Sequence, residues 1–341
     1  MEVHGLRRLL PLLAVLGAVY AAMILLSMVK LDSGDRGWSW RAPIFIVQHD
    51  RDGSWSFNTL NQRKILEQAG INLILGVGMT FVILTAGIDL SVGSVLAVCN
   101  VVFVVTVLRL TGQEGTGWPA AIAFPVGVLA CLGAGLLLGA ISGAVSVYGH
   151  VPSFITTLGM YLVGQGAAHL FSGGHTHYLP CRQPLNVAIP LLLCLGGVIC
   201  AHVLLSRTVF GRHTYAVGAN LEAARLCGVA VNRVRVLAFV ISGLCAALGG
   251  MIYWARLSAG SHLAAYNGYE LYAIAAVVIG GTSLMGGEGS VLGTLLGALI
   301  MAVLYNGLNT MGIEETTQKI IIGAVIVAAA VYDQRRRRSA G

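Results

Sequence analysis

Asp89 is the only formal charge between Glu67 and Arg109, in the string GVGMTFVILTAGIDLSVGSVL over residues 76–96. In a bilayer, a carboxylate among about 40 uncharged residues costs roughly 2.5 kcal/mol or more at the midplane. The side chain must therefore face protein, water or the end of a broken helix. Gly76, Gly78, Gly87 and Gly93 surround it and permit tight turns and close backbone approach. Three chemistries fit. Asp89 follows Gly87 and precedes Leu90-Ser91-Val92, where a new helix would start, so it caps a break or pairs internally. Alternatively it lines a pathway and touches solute. The third reading is a proton or sodium relay, but relays run as chains of acids and histidines. Here the other acids are Glu270 at a span end and Glu288 in a glycine turn.

A second polar cluster is Tyr266, Asn267, Tyr269, Glu270 and Tyr272. Rings and amides of this kind suit a sugar, whose faces stack on aromatics and whose hydroxyls need partners; interfacial anchoring is the plainer reading. Asn306 and Asn309, beside Tyr305, carry the same ambiguity. His175 and His177 are two residues apart, whereas helical metal sites prefer three or four, so no metal is expected. The seven cysteines show no regular spacing, and five lie in apolar runs, which suits packing better than a disulfide framework.

The elements that hold these groups must be membrane helices. The chain has 341 residues, 56% of them hydrophobic and 10% charged, against about 25% charged in a soluble domain. Stretches near 20 residues without charge match the roughly 30 Å of hydrocarbon a helix must cross. Ten spans are expected: about 9–29, 65–86, 91–110, 119–141, 152–171, 188–206, 235–255, 269–285, 290–308 and 316–333. The chain reads as one transmembrane domain over 1–341, all-α and polytopic. The 9–29 run is longer than a signal-peptide core and lacks a small-residue cleavage pattern at its end.

Orientation follows the basic loops. Arg335–Arg338, the 207–235 loop and Arg7-Arg8 fall on one side of a ten-span chain, which places both termini in the cytoplasm. Residues 30–64, with six Lys/Arg, four Asp and three Trp, then form an outer loop. The loop reads SRTVFGRHTYAVGANLEAARLCGVAVNRVRV from Ser206; Asn220 is a good N-cap for a short helix over Leu221–Leu226, and Gly228 is placed to end it. No GxxxxGK[ST], HExxH or GxSxG occurs, so no phosphate loop and no familiar hydrolase site is present.

Two strings carry a resemblance: AGIDLSVGS at 86–94 and IGGTSLMGGEGS at 279–290. With them the chain resembles the permease subunit of bacterial ATP-binding-cassette (ABC) sugar importers, of the ribose/xylose/galactose type, from about residue 58 to 333. The resemblance implies the ten-span importer architecture and an inner-membrane location. It also implies a second permease chain, an ATP-binding subunit that holds the ATP and magnesium, a periplasmic sugar-binding protein and surrounding lipid, with no nucleic acid. This chain itself then holds no cofactor. The resemblance further marks Gly218, Asn220, Glu222, Ala223, Ala224, Arg225 and Gly228 as the helix that couples to the ATPase. Ala219 and Val229 stand where many relatives have glycine and isoleucine. Gly87, Asp89, Ser91 and Gly93 are the expected helix break or pathway, and Tyr266, Asn267, Glu270 and Asn306 the expected solute contacts. The competing class is an ion-coupled secondary carrier, which shares the buried acid but has no need of a capped basic loop.

Overall fold

The computed structural model describes residues 2–27, 29–31, 38–40, 47–49, 55–112, 117–181 and 185–338. Its helices are α1 Glu2–Ser27, α2 Thr59–Leu84, α3 Val92–Thr111, α4 Ala120–Tyr148, α5 Ser153–Ser172 and α6 Leu185–Arg207. They continue with α7 Val209–Ala219, α8 Leu221–Leu226, α9 Val231–Leu257, a 3-10 turn at His262–Tyr266, α10 Tyr269–Ile279, α11 Val291–Thr310 and α12 Glu315–Arg338. Three two-stranded antiparallel pairs join the loops: β1 Val29–Leu31 with β2 Trp38–Trp40, β3 Val47–His49 with β4 Trp55–Phe57, and β5 His177–Tyr178 with β6 Ala259–Gly260.

Helix α2 is the axis of the bundle. Asn58 caps it by accepting from Asn61 N at 2.9 Å. Every residue from Gln68 to Leu84 is buried, as expected of a helix that is apolar all round. It is enclosed by α6, α9, α10 and α11. Thr80 and Thr294 place two hydroxyls 2.7 Å apart at the α2–α11 contact, and Thr80 also donates to Gly76 O, so the polar atoms inside the apolar seam are satisfied. Helix α4 presents Gly135, Gly139 and Gly143 to Gly243 and its neighbours on α9, the small-residue ridge that lets helix backbones meet in lipid.

Among the described residues, six helices are long and apolar enough to cross a membrane: Thr59–Leu84, Val92–Thr111, Ala120–Tyr148, Ala188–Arg207, Val231–Leu257 and Val291–Thr310. This establishes an all-α membrane architecture. The expected span at 269–285 takes a different form. Helix α10 has 11 residues, about 16 Å at 1.5 Å per residue, which falls short of a crossing. Asn267 and Gly268 break the path between the 3-10 turn and α10, because Gly268 sits at φ +68 and starts a new helix. Beyond α10, Gly281, Gly286, Gly287 and Gly289 all have positive φ, so residues expected to be helical form a compact glycine turn. Of the loop expected over 30–64, β1–β4 and Asn58 are described, residues 59–64 instead form the first turns of α2 behind the Asn58 cap, and the rest lies outside the described residues.

The segment between α9 and α10 is fastened from both sides. Asn100 of α3 donates to Gly250 O and Ala259 O and accepts from Ser261 N, which uses its amide fully. β5 pairs with β6, and Trp254 donates to Leu179 O at 2.8 Å. Between β6 and Gly268 the chain therefore runs down along α3 and α5, not across an open surface.

Candidate functional site

Asp89 sits in the seven-residue gap between α2 and α3 and is buried. Its Oδ1 accepts from Ser91 N at 3.0 Å and from the Ser91 hydroxyl at 2.6 Å; Oδ2 accepts from the Ser242 hydroxyl of α9 at 2.7 Å. Three donors thus surround the carboxylate at the N-terminal end of α3, whose dipole favours negative charge. The same gap is tied to α5: Ile88 N donates to Ser153 Oγ, Leu90 N to Thr157 Oγ1, and the Thr157 hydroxyl to Ile88 O at 3.2 Å. Gly87 lies against Val82 and the Phe239 ring, and Ala86 adopts φ +58, a left-handed backbone unusual for alanine.

The second break meets the first. A Cβ on Gly93, in the first turn of α3, would overlap Glu270 Oε2, in the first turn of α10. Two helix N-termini therefore converge on one carboxyl group. Glu270 is 7% exposed, and its Oε2 has no hydrogen-bond partner. Tyr161 and Gln165 of α5 face the 3-10 turn that precedes α10. Tyr161 is within electrostatic reach of Glu270 and Tyr266, and Gln165 donates to Ala265 O at 3.4 Å. Asn267 meets Tyr253 and Tyr269, whose rings are 6.3 Å apart and nearly perpendicular. Tyr266 is 60% exposed, and Asn267 and Leu271 are exposed near it in the chain. The result is an open aromatic and amide face with a buried carboxyl behind it.

A third assembly lies at the foot of α2. Gly287 N donates to Leu84 O at 3.0 Å, and Gly218 of α7 is pressed onto that same carbonyl and amide. The Tyr215 hydroxyl donates to Gly289 O at 2.8 Å, and Phe210 stacks on Phe81 at 6.2 Å. Three separate stretches, AGIDLSVGS, the YAVGAN run and the GGTSLMGGEGS turn, therefore meet in space. Beyond this joint, α8 protrudes. Asn220 accepts from Ala223 N at 2.9 Å, and Gly228 at φ +81 follows its end. Glu222, Ala223 and Arg225 are exposed, with Arg225 pairing to Glu222 at 3.2 Å. Ala224, expected on the coupling surface, instead turns inward and packs with Val217, Val231 and Val234.

The predicted residues thus divide. Gly87, Asp89, Ser91 and Gly93 fall together with Glu270, and Tyr266 and Asn267 adjoin them. Asn306 is on α11, its Oδ1 buried and without a partner, and no hydrogen bond links it to that group among the described residues. Gly218 belongs to the joint and not to the exposed face of α8. Sequence reasoning missed Tyr161, Gln165 and Tyr215, and it missed Leu226, an apolar side chain 89% exposed at the end of α8. The helix α7 was also unforeseen, although Phe210, Thr214 and Val217 mark a helical face and Thr208 is an N-cap residue accepting from Gly211 N.

Comparison with known proteins identifies the family. Residues 62–330 match the family model described as the permease component of branched-chain amino acid transport systems. The ribose import permease protein RbsC of Escherichia coli K12 is 39% identical over 294 residues, covering 82% of this chain and 88% of that protein. RbsC of Bacillus subtilis is 38% identical, covering 81% of this chain and 85% of its own length. The xylose transport system permease protein XylH of Escherichia coli K12 is 36% identical, covering 84% of this chain and 88% of its own. No solved structure matches. The chain belongs to the permease family that these proteins share.

Proposed function

We propose that this permease is the transmembrane subunit of an ABC importer that moves a monosaccharide inward across the inner membrane by alternating access. Its relatives are ribose and xylose permeases by name. The observation that carries the substrate class is the open face of Tyr161, Gln165, Tyr266 and Asn267 over the Glu270 carboxyl. Rings there can stack on a sugar, and amide and carboxyl groups can meet its hydroxyls. Asn306 adds a further unpartnered acceptor higher on α11. Gly87, Asp89, Ser91 and Gly93 form the inner break against which this face moves.

Coupling lies at α8. Glu222, Ala223 and Arg225 with Leu226 form its outward surface, while Asn220 and Gly228 fix its ends and Gly218 seats it on the bundle. A separate ATP-binding subunit docks here and holds ATP and magnesium. A periplasmic binding protein delivers the sugar at the other end, and a second permease chain completes the pathway. Each partner biases the inward/outward equilibrium only by binding one state better. Ten crossings, with both termini and α8 in the cytoplasm, satisfy the arginines at 207, 212, 225, 233 and 235.

Proteoliposomes holding the permease, its ATPase subunit and the binding protein test the reading. ATP-dependent uptake of a labelled pentose or hexose is expected. Uptake that follows a sodium or proton gradient without ATP would establish the ion-coupled carrier instead. For orientation, a chain retaining only Cys227, which is exposed just after α8, should react with impermeant maleimide from the cytoplasmic side of inverted vesicles. Reaction from the periplasmic side alone would invert the topology.

A further inference from the structure

Helix α7 grips two different elements. Through Phe210 it stacks on Phe81 of α2, and through Tyr215 it holds Gly289 O in the turn between α10 and α11. It is joined to α8 by Asn220 alone, and Val217, Ala224, Val231 and Val234 pack α7, α8 and the start of α9 into one body. Any displacement of α8 is therefore a displacement of Tyr215.

The turn that Tyr215 holds is itself stiff. Ser283 N donates to Glu288 O, Gly286 N to Ser283 O, Met285 N to Ser283 Oγ, and Ser290 caps α11 by accepting from Gly293 N. Gly289 is at φ +157, and a Cβ there would overlap Thr282. On the other side of this turn stands α10, a rigid rod of 11 residues with Glu270 at its far end. Because α10 is broken from the preceding turn at Gly268, it can tilt without dragging the fastened segment above it. The acceptor for Tyr215 is a main-chain carbonyl, so the bond pulls on the backbone of the turn. Burial holds the Tyr215 hydroxyl above the usual phenol range, which keeps it a donor at every physiological pH.

We infer that Tyr215 is a positioning residue that converts movement of α8 into tilting of α10, and so moves Glu270 against Gly93. The inference rests on the reading that α8 meets an ATPase subunit, and it adds the route by which that contact reaches the sugar face.

The test is hydrogen–deuterium exchange on the whole permease, wild type and Tyr215→Phe, with and without the ATPase subunit. In the wild type the subunit should slow exchange at 220–228 and alter it at 269–290. In Tyr215→Phe, the protection at 220–228 should persist while the change at 269–290 is lost. The ATP hydrolysed per sugar imported should rise, because hydrolysis is no longer linked to movement at the sugar face. The phenylalanine keeps the ring in place, so the melting temperature should stay near that of the wild type. An unaltered response at 269–290 in the variant, or a wild-type ATP-to-sugar ratio, overturns the inference. Absence of protection at 220–228 in the wild type overturns the docking reading beneath it, and is told apart by that segment alone.

Discussion

Glycine is used in opposite ways at the foot of α2 and at the meeting of the two breaks. At the foot, Gly218 and Gly287 bring backbone onto backbone, and the Leu84 carbonyl they surround is hydrogen-bonded by Gly287 N. At the breaks, Gly93 makes room for a side-chain carboxyl, and Glu270 Oε2 is left without a partner. A closed set of hydrogen bonds makes a joint that keeps its shape. A buried acceptor with a free lone pair costs energy, and it is retained where partners change during function. On the reading proposed above, the first region transmits force and the second exchanges contacts.

The largest expected effect breaks the joint. In Gly218→Ala the new methyl would overlap Leu84 O and crowd Gly287 N, both backbone atoms that cannot rotate aside. A loss of about 2–3 kcal/mol is expected, at the upper end for overpacking, seen as a lowered melting temperature in detergent. An unchanged melting temperature would remove the rigid half of the comparison.

Asp89 comes next, because it ties the break to both α3 and α9. Asp89→Ala leaves the buried Ser91 amide unpaired and should cost about 1–3 kcal/mol. Asp89→Asn keeps an oxygen for that amide and should lose clearly less stability and less transport. Asparagine as inactive as alanine, with both variants as stable as the wild type, would instead make Asp89 a relay.

The smallest effect sharpens the contrast. In Gly93→Ala the methyl meets the end of the flexible Glu270 side chain, which can swing away. The expected cost is about 1 kcal/mol, well below that of Gly218→Ala, yet transport should fall because the carboxyl is displaced. A stability loss equal to that of Gly218→Ala would show the two glycine contacts to be of one kind.

The helices of the bundle were legible because apolar runs near 20 residues have few alternatives in lipid. The short helix at Leu221–Leu226 was equally legible from its Asn cap and terminal glycine. Helix α10 was not. Its start at 269 was expected, but the span was carried to 285, and nothing in periodicity says that the helix stops at Ile279 and that Gly281, Gly286, Gly287 and Gly289 take positive φ. Asp89 could be placed at a helix break from its flanking residues, but Ser242, which holds its other oxygen, is 153 positions away and carries no local signal. Tyr161 and Gln165 were hidden for the same reason. They sit on an unremarkable apolar helix and become notable only once α5 is laid beside the break at Gly268.

Helix α2 is made early and enclosed late. Its buried stretch, Gln68–Leu84, is walled by α9, α10 and α11, which leave the ribosome late. Until residue 310 is in the membrane, the nascent chain has no finished interior, and Asn72 and Thr80 must wait among lipids or temporary neighbours. A chain cut short after α9 would keep the upstream helices but lack the α10 and α11 walls around α2, and should be degraded faster than the full chain in a pulse-chase.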